Sequence, residues 1–399
     1  MTVDRERFAR AGLVELAQEL VRAPSHPGLE RQEQAAVDVL ERYLVARGVA
    51  VERTEVAPGR PNLVARVRGR NPGRTLLLCG HTDTVPLNAG EPGAGFSGEV
   101  GDGRLHGRGA VDMKGALAAM AAALAVAGED RALPAGELVL AAVVDEEMES
   151  LGAEALVRSG LAADGALVGE PTGNRPALGH KGLEWLAVEL TGRAAHGGTP
   201  AAGINAVAAA ARFLVLVEER LLPRFAARAH PLLGPPTINA GTIRGGDQPS
   251  TVAARCTVEL DRRTVPNESY ATVVAELVEL GREVEARFPG LAIEVRRVAG
   301  GMATMEHVAL VLDPGHPLVA CAGAALRAVT GRAPEPCAFP AWTDGALLAA
   351  YGGVPTLVLG PGDLALAHSP RESVPVGELL DAAAIYFETA LGFCGAAPR

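Results

Sequence analysis

Five short segments of the chain place acidic or histidine side chains at the ends of predicted elements. Four of them follow apolar runs typical of buried strands, and they contribute His81 with Asp83, residues 145–147, Glu170, and His368. The fifth contributes Asp112, which lies just before an alanine-rich segment of helical character. Because ligands of open parallel sheets lie beyond the carboxyl ends of the strands, we expect these side chains to meet at one edge of a sheet.

The residue types in this set are typical of a metal site. Two imidazoles with several carboxylates and no thiolate suit Zn²⁺ or a similar divalent ion, whereas Ca²⁺ prefers an all-oxygen shell. His81 and Asp83 project to the same side of an extended chain, so Asp83 could accept the second imidazole N–H of His81. Glu146 and Glu147 are adjacent and must point in different directions. One of them can therefore bind metal while the other faces a bound water as a general base.

Strands and helices alternate around these segments. Strands are predicted at residues 49–56, 62–67, 75–79, 137–144, 166–168 and 355–359, and helices at 5–21, 32–47, 114–127, 151–159, 318–329 and 377–391. This alternation predicts an α/β domain, with a largely parallel sheet and helices on both of its faces.

A different order of elements follows Gly179. Strands at 183–190, 237–243, 252–261 and 291–297 are combined with helices at 201–219 and 268–288. This β-α-β-β-α-β order is that of a ferredoxin-like α+β domain. We therefore predict a catalytic, metal-binding domain of residues 1–178 and 301–399, interrupted by an inserted domain of residues 179–300.

Composition excludes several classes of protein. The 399 residues are 48% hydrophobic and 21% charged, as expected of a folded chain. The formal net charge of −10 argues against nucleic-acid or membrane partners. Five scattered cysteines without a CxxC pair predict neither a disulfide framework nor a thiolate zinc site. The first ten residues lack the apolar core of a signal peptide, so we expect a cytoplasmic protein.

The motifs and their order resemble the zinc amidohydrolase and metallopeptidase family of acetylornithine deacetylase, succinyl-diaminopimelate desuccinylase and glutamate carboxypeptidase. The shared order is His-x-Asp, Asp-x-Lys-Gly, Glu-Glu, Gly-Glu-Pro and a late histidine, and it covers residues 62–375. The resemblance implies one metal ion held by His81 and Glu170, and another held by Glu147 and His368. It further implies that Asp112 bridges the two ions, that Asp83 orients His81, and that Glu146 is the general base.

The inserted domain resembles the lid or dimerisation domain of the same family. Its segment 192–200 looks like the family's histidine loop, in which His196 would reach the active site of a partner subunit and stabilise the oxyanion. Many members carry Ser-Ser after this histidine, where this chain has Gly197 and Gly198. Asn239 and Arg262 resemble the family's contacts to the substrate carboxylate, a group that the arginine fork binds in a bidentate manner. The resemblance thus implies a homodimer formed through the inserted domain.

These observations together predict a hydrolase with two divalent ions, most simply zinc, with cobalt or manganese as alternatives. Its expected substrate is a small N-acyl amino acid, as in the deacetylase and desuccinylase branch of the family. A metallo-exopeptidase acting on short peptides, of the glutamate carboxypeptidase or dipeptidase type, shares the same motifs and stays open as an alternative. A metal-free binding homologue is disfavoured, because every ligand position carries a competent side chain.

Overall fold

The computed structural model describes residues 4–88, 90, 93–129, 132–300 and 305–395. It divides the chain into two compact units. Unit 1 consists of residues 1–180 and 310–399, and unit 2 of residues 181–309. The expected boundaries at 179 and 300 differ slightly from these, for two reasons. His180 pairs with Leu310 in the sheet of unit 1, and the His307 carbonyl accepts a hydrogen bond from Leu183 in unit 2.

The helices and strands are numbered in chain order. The helices are α1 (Glu6–Arg10), α2 (Leu13–Val21), α3 (Gln34–Val45), α4 (Gly115–Glu129), α5 (Leu151–Arg158), α6 (Ala206–Leu216), α7 (Leu222–Phe225), α8 (Tyr270–Arg287), α9 (Pro317–Thr330), α10 (Gly345–Ala350) and α11 (Val376–Cys394). The strands of the first half are β1 (Val51–Ala57), β2 (Arg60–Arg68), β3 (Asn71–His81), β4 (Glu99–Gly101), β5 (Arg104–His106), β6 (Ala135–Val143), β7 (Gly165–Val168) and β8 (Ala177–His180). They are followed by β9 (Gly182–Thr191), β10 (Thr237–Gly245), β11 (Arg255–Thr264), β12 (Ala292–Arg297), β13 (Leu310–Val311), β14 (Cys337–Phe339), β15 (Thr356–Val358) and β16 (Ser373–Pro375).

Unit 1 is built on a mixed sheet in the order β1-β2-β6-β3-β7-β15-β8-β13, with β14 also paired to β8. The central pairs β6–β3, β3–β7 and β7–β15 are parallel, and the outer pairs β1–β2, β2–β6 and β8–β13 are antiparallel. The predicted α/β fold with a largely parallel central sheet is therefore confirmed.

Helices cover both faces of this sheet, because its central strands are apolar on both sides. On one face, Leu77, Cys79 and Val139 pack with Leu156 of α5 and Leu348 of α10. On the other face, α4 and α11 pack against β3 and β6. The segment Ala110–Glu129 is long and apolar enough to cross a membrane, but its most apolar 18-residue stretch is entirely buried within unit 1. It is a core helix of this unit.

Unit 2 is an antiparallel sheet in the order β10-β11-β9-β12, with helices packed on one face. Alternate residues of β9 and β11, such as Val188 and Val258, are buried against α6 and α8. Strand β11 keeps this alternation throughout its length, so every second side chain from Cys256 to Thr264 is buried.

The predicted helix at 5–21 is two helices in the structure. Gly12 lies between α1 and α2 and has a left-handed backbone conformation, with φ of +78°. The apolar spacing continues across this break, which is why the sequence pattern alone predicted one helix.

Candidate metal-binding site

The parallel strands of unit 1 bring the predicted site residues to one edge of the sheet. His81, the last residue of β3, is paired with Val143 at the end of β6. Cys79 of β3 is paired with Val168 at the end of β7. Because β6 ends level with β3 and β7 ends two residues earlier, the residues that follow them emerge side by side. These are Asp83, Glu146, Glu147 and Glu170.

Asp112 lies between the two histidines. Its Oδ1 is 3.1 Å from Nε2 of His81, and its Oδ2 is 3.2 Å from Nε2 of His368. His81 Nε2 is also 3.7 Å from Oε1 of Glu170, and His368 Nε2 is 3.1 Å from Oε1 of Glu147. The five predicted ligands therefore form two groups that share the Asp112 carboxylate.

The donor atoms of this site could hold divalent metal ions. Ligand atoms of His81, Asp112 and Glu147 lie within 4.8 Å of one another, as do those of His81, Glu146 and Glu170. His81 Nδ1 is 3.0 Å from the carbonyl oxygen of Asp83. This contact makes Nδ1 the protonated nitrogen of the neutral ring and leaves the lone pair of Nε2 directed at the carboxylates. Nitrogen and oxygen donors in this arrangement suit Zn²⁺, Co²⁺ or Mn²⁺.

Asp83 supports the site differently from the sequence expectation. Its carboxylate Oδ1 is 3.5 Å from His81 Nδ1, farther than its own carbonyl oxygen. The two carboxylate oxygens instead accept the backbone N–H groups of Glu146, at 3.2 Å, and Glu147, at 3.1 Å. Asp83 thus orients His81 through its main chain and the acidic loop through its side chain.

Burial and mutual repulsion shift the pKa values of this cluster in the absence of metal. Burial, followed by the charge of Glu170, raises the pKa of Glu146 well above its usual value. Burial opposes protonation of His81, but its hydrogen bonds to Asp112 and Asp83 outweigh this effect and raise its pKa. Hydrogen bonds to Asp112 and Glu147 raise the pKa of His368 to about 10. Protons held by the two histidines and by buried glutamates such as Glu146 therefore offset the negative charge of the metal-free cluster, a role that divalent cations could take.

Glu372 supports this site through hydrogen bonds, and the sequence did not predict this role. Its Oε1 accepts the backbone N–H groups of Gly109, at 2.7 Å, Val111, at 3.2 Å, and Asp112, at 3.3 Å. Its Oε2 accepts a hydrogen bond from Arg108 Nη1 at 2.7 Å. Glu372 therefore fixes the turn that carries the shared carboxylate. It follows His368 by four residues, and no motif distinguishes it from a surface acid.

Lys114 is a second buried support. Its side chain is fully buried, and its Nζ donates to the Ala23 carbonyl at 2.7 Å. Burial lowers its pKa to about 7, against the opposing charges of Asp83 and Glu372. In the sequence, Lys114 stands out only by composition, because it is one of two lysines in a chain with many arginines.

The remaining predicted residues belong to unit 2. His196 is exposed, and its Nδ1 accepts the backbone N–H of Gly198 at 3.1 Å, which leaves Nε2 as the protonated nitrogen of the neutral ring. Gly197 donates to the Ser250 carbonyl at 2.7 Å, so the two glycines are both part of a hydrogen-bonded loop. Asn239 is exposed on β10, opposite Asp261 of β11.

Arg262 is in the core of unit 2, an environment that does not suit the expected contact with substrate. Its side chain is 0% exposed, its Nη2 donates to Glu268 at 2.7 Å, and its guanidinium lies 4.4 Å from the Phe225 ring centre. The next residue, Arg263, points to the opposite face of β11, where Nε and Nη2 donate to Asp261 at 2.7 and 3.0 Å. The alternation of buried side chains along β11 was the signal that separates the two arginines.

Comparison with protein-family models places residues 77–392 in "Peptidase family M20/M25/M40". Among curated proteins, the chain is 31% identical to an acetylornithine deacetylase of Myxococcus xanthus over 369 residues, which covers 90% of this chain and 92% of that protein. It is 30% identical to an acetylornithine deacetylase of Proteus mirabilis over 378 residues, covering 90% and 91% of the two chains.

Solved structures share the fold over nearly the whole chain. The aminopeptidase PepT of Bacillus cereus superposes with a TM-score of 0.77 at 22% identity, covering 98% of this chain and 99% of its own. The YXEP protein of Bacillus subtilis, described as a dinuclear metal-binding peptidase, gives a TM-score of 0.70 at 16% identity, covering 97% and 98%.

Proposed function

The chain belongs to peptidase family M20/M25/M40, and from this premise we propose that it is a dinuclear metal hydrolase that cleaves the amide bond of N-acyl amino acids. The family assignment makes it a metal-dependent hydrolase of amide bonds. The deacetylase names of the similar curated proteins favour the N-acyl amino acid as substrate.

The observation that carries the proposal is the position of Asp112 between His81 and His368, with one carboxylate oxygen directed at each imidazole. His81 and Glu170 would hold one ion, Glu147 and His368 would hold the other, and Asp112 would bridge them. When bound, the ions would polarise the scissile carbonyl and make a bound water more acidic. Zinc suits this donor set, and we propose it ahead of cobalt and manganese. The cytoplasmic location also stays a prediction.

Glu146 would carry the proton in this reaction. Its carboxylate would accept a proton from the attacking water and then return it to the nitrogen of the leaving amine as the C–N bond breaks. The products would be a carboxylic acid and a free amino acid. The N–H groups of Glu146 and Glu147 bind the Asp83 carboxylate, which would keep the loop aligned during this transfer.

Unit 2 would supply the contacts to the rest of the substrate. The Nε2–H of His196 would stabilise the tetrahedral oxyanion. Asn239 would contact the substrate carboxylate. We transfer the role expected of Arg262 to Arg263, because Arg263 is on the face of β11 that also carries Asp261, opposite Asn239.

We also propose a homodimer that forms through unit 2, with a second copy of this chain as the partner. Helix α6 exposes Val207 and Val215, and Ile243 is 50% exposed on the edge strand β10. An open edge strand beside an exposed apolar helix face is a surface that a second copy can extend.

A mixing experiment tests whether His196 acts across this dimer. The variants His196→Ala and Glu146→Gln would each be nearly inactive alone. If His196 acts in trans, randomly mixed subunits should recover about a quarter of wild-type activity, since half of the dimers are mixed and each mixed dimer has one intact site. Activity no higher than the sum of the two variants would contradict action in trans.

The alternative is a metallo-exopeptidase, and the peptidase names of the structural neighbours favour it. The deciding experiment measures release of free amine from N-acetyl amino acids, N-succinyl amino acids and dipeptides, with and without a chelator. We expect chelator-sensitive cleavage of an N-acyl amino acid. Cleavage of dipeptides alone would establish the exopeptidase instead, and activity that survives complete metal removal would exclude both.

A further inference from the structure

The loop that follows β6 carries three consecutive acidic residues, Asp145, Glu146 and Glu147. The side chain of Asp145 points away from those of the other two. Asp145 has a left-handed backbone conformation, with φ of +71°, and is 3% exposed. Its carboxylate is bound by Arg60 Nη2 at 2.6 Å, whereas the N–H groups of Glu146 and Glu147 are bound by Asp83. The side chain of Asp145 therefore fixes the loop in place, whereas the side chains of Glu146 and Glu147 are available to bind metal or transfer protons.

Arg60 joins this anchor to a second buried acid. Its Nε lies 3.1 and 2.8 Å from the two carboxylate oxygens of Glu33, which is 0% exposed. One planar guanidinium thus holds Glu33 at the start of α3 and Asp145 in the loop at the same time. A lysine ammonium is a point charge without this fork and cannot reproduce both contacts in the same geometry.

Asn62, two residues after Arg60 on β2, holds the two ends of the same loop. Its Oδ1 accepts the N–H of Val144 at 3.1 Å, and its Nδ2 donates to the Gly152 carbonyl at 2.8 Å. A Cβ on Gly152 would lie 2.4 Å from the Val144 nitrogen and 2.7 Å from Asn62 Oδ1. Only glycine allows the start of α5 to approach the end of β6 this closely.

From these contacts we propose that Arg60 and Asn62 form a clamp that sets the position of Glu146 and Glu147. Arg60 fixes the loop through Asp145, and Asn62 closes its two ends through Val144 and Gly152. Both are positioning residues, since they act on the reaction only through the loop. The kinetic part of this proposal rests on the proposed function, in which Glu146 transfers the proton and Glu147 binds metal.

The test compares Arg60→Lys and Arg60→Gln with Arg66→Lys. Arg66 is on the same strand, but it faces Glu137 at 3.6 Å and is 38% exposed, so it controls for an arginine change in β2. At saturating metal, both Arg60 variants should lose roughly 10- to 100-fold in kcat, the scale expected for small misplacement of a reacting group. The KM and the number of ions per chain should stay within twofold of wild type, and Arg66→Lys should behave as wild type.

Hydrogen–deuterium exchange provides a readout that does not depend on activity. In both Arg60 variants, peptides covering residues 144–152 should exchange faster, while peptides from β3 and α4 should keep their protection. A wild-type kcat in a folded Arg60→Gln protein would overturn the proposal, and so would a raised KM with unchanged kcat. If the wild type hydrolyses none of the tested substrates, the proposed function fails, and unchanged exchange across 144–152 would then refute the clamp separately.

Discussion

Replacing Asp344 with asparagine should stabilise the metal-free protein increasingly as the pH rises from about 4 to about 7. Asp344 lies just before α10 and is 2% exposed. Among the described residues, neither oxygen of its carboxylate has a partner with hydrogen-bond geometry, although the Ser150 hydroxyl is close enough to oppose the shift in its pKa. Burial raises the pKa of Asp344 to about 7, with Asp83 and Asp145 adding to the shift and Ser150 and His81 opposing it.

The size of the effect follows from this pKa. An aspartate in the unfolded chain has a pKa near the reference value of 3.8, so the shift in the folded protein is roughly three pH units. Each unit corresponds to about 1.4 kcal/mol. The folded state therefore holds the proton between pH 3.8 and about 7 while the unfolded state has lost it, and wild-type stability falls by about 4 kcal/mol across this window. Asparagine cannot ionise and avoids this loss.

The assay is denaturant unfolding of chelator-treated wild type and Asp344→Asn between pH 5 and pH 8. The difference in the free energy of unfolding should widen by roughly 2–3 kcal/mol from pH 5 to 7 and then level off. Asp363→Asn is the matched control, because Asp363 is exposed and its Oδ1 accepts the Ala365 N–H at 3.0 Å, a bond that an amide oxygen can also accept. A difference that stays constant with pH, or narrows towards pH 7, would refute the assignment of a buried, ionisable Asp344.

Two further predictions concern the reaction and the metal. Glu146→Gln should retain its metal ions but lose at least 10²-fold in kcat, the scale of general base catalysis; near-normal turnover in a metal-loaded variant would refute this role. The affinity for Zn²⁺ should fall as the pH falls, because the raised pKa values of His81 and His368 make protons compete with the ion. Calorimetry in buffers of different ionisation enthalpy should detect proton release on binding at pH 7, and binding without proton release would contradict these shifts.

The sequence predicted the centre of the site better than its surroundings. The five candidate ligands come from three strand ends, the loop after β15 and one turn, and the alternation of strands and helices indicated that a largely parallel sheet would bring them to one edge. The order of the motifs then identified the family, and the comparisons confirm that identification and the hydrolase activity.

The supporting residues could not be found in the same way. Arg60 and Glu372 act through contacts with residues 85 and 260 positions away in the chain, and neither stands in a pattern that marks it. Arg262 is a different case, because the motif suggested this residue, whereas the alternation along β11 buries it and places Arg263 on the opposite face. Strand periodicity, applied to that motif, favours Arg263 as the proposed contact to substrate.

The most direct test of the account is anomalous diffraction at the zinc edge from crystals grown with Zn²⁺. We predict two anomalous peaks on either side of the Asp112 carboxylate, one within about 2.2 Å of ligand atoms of His81 and Glu170, the other equally close to Glu147 and His368. A single peak, or peaks that do not share Asp112, would contradict the dinuclear site on which the proposed chemistry depends.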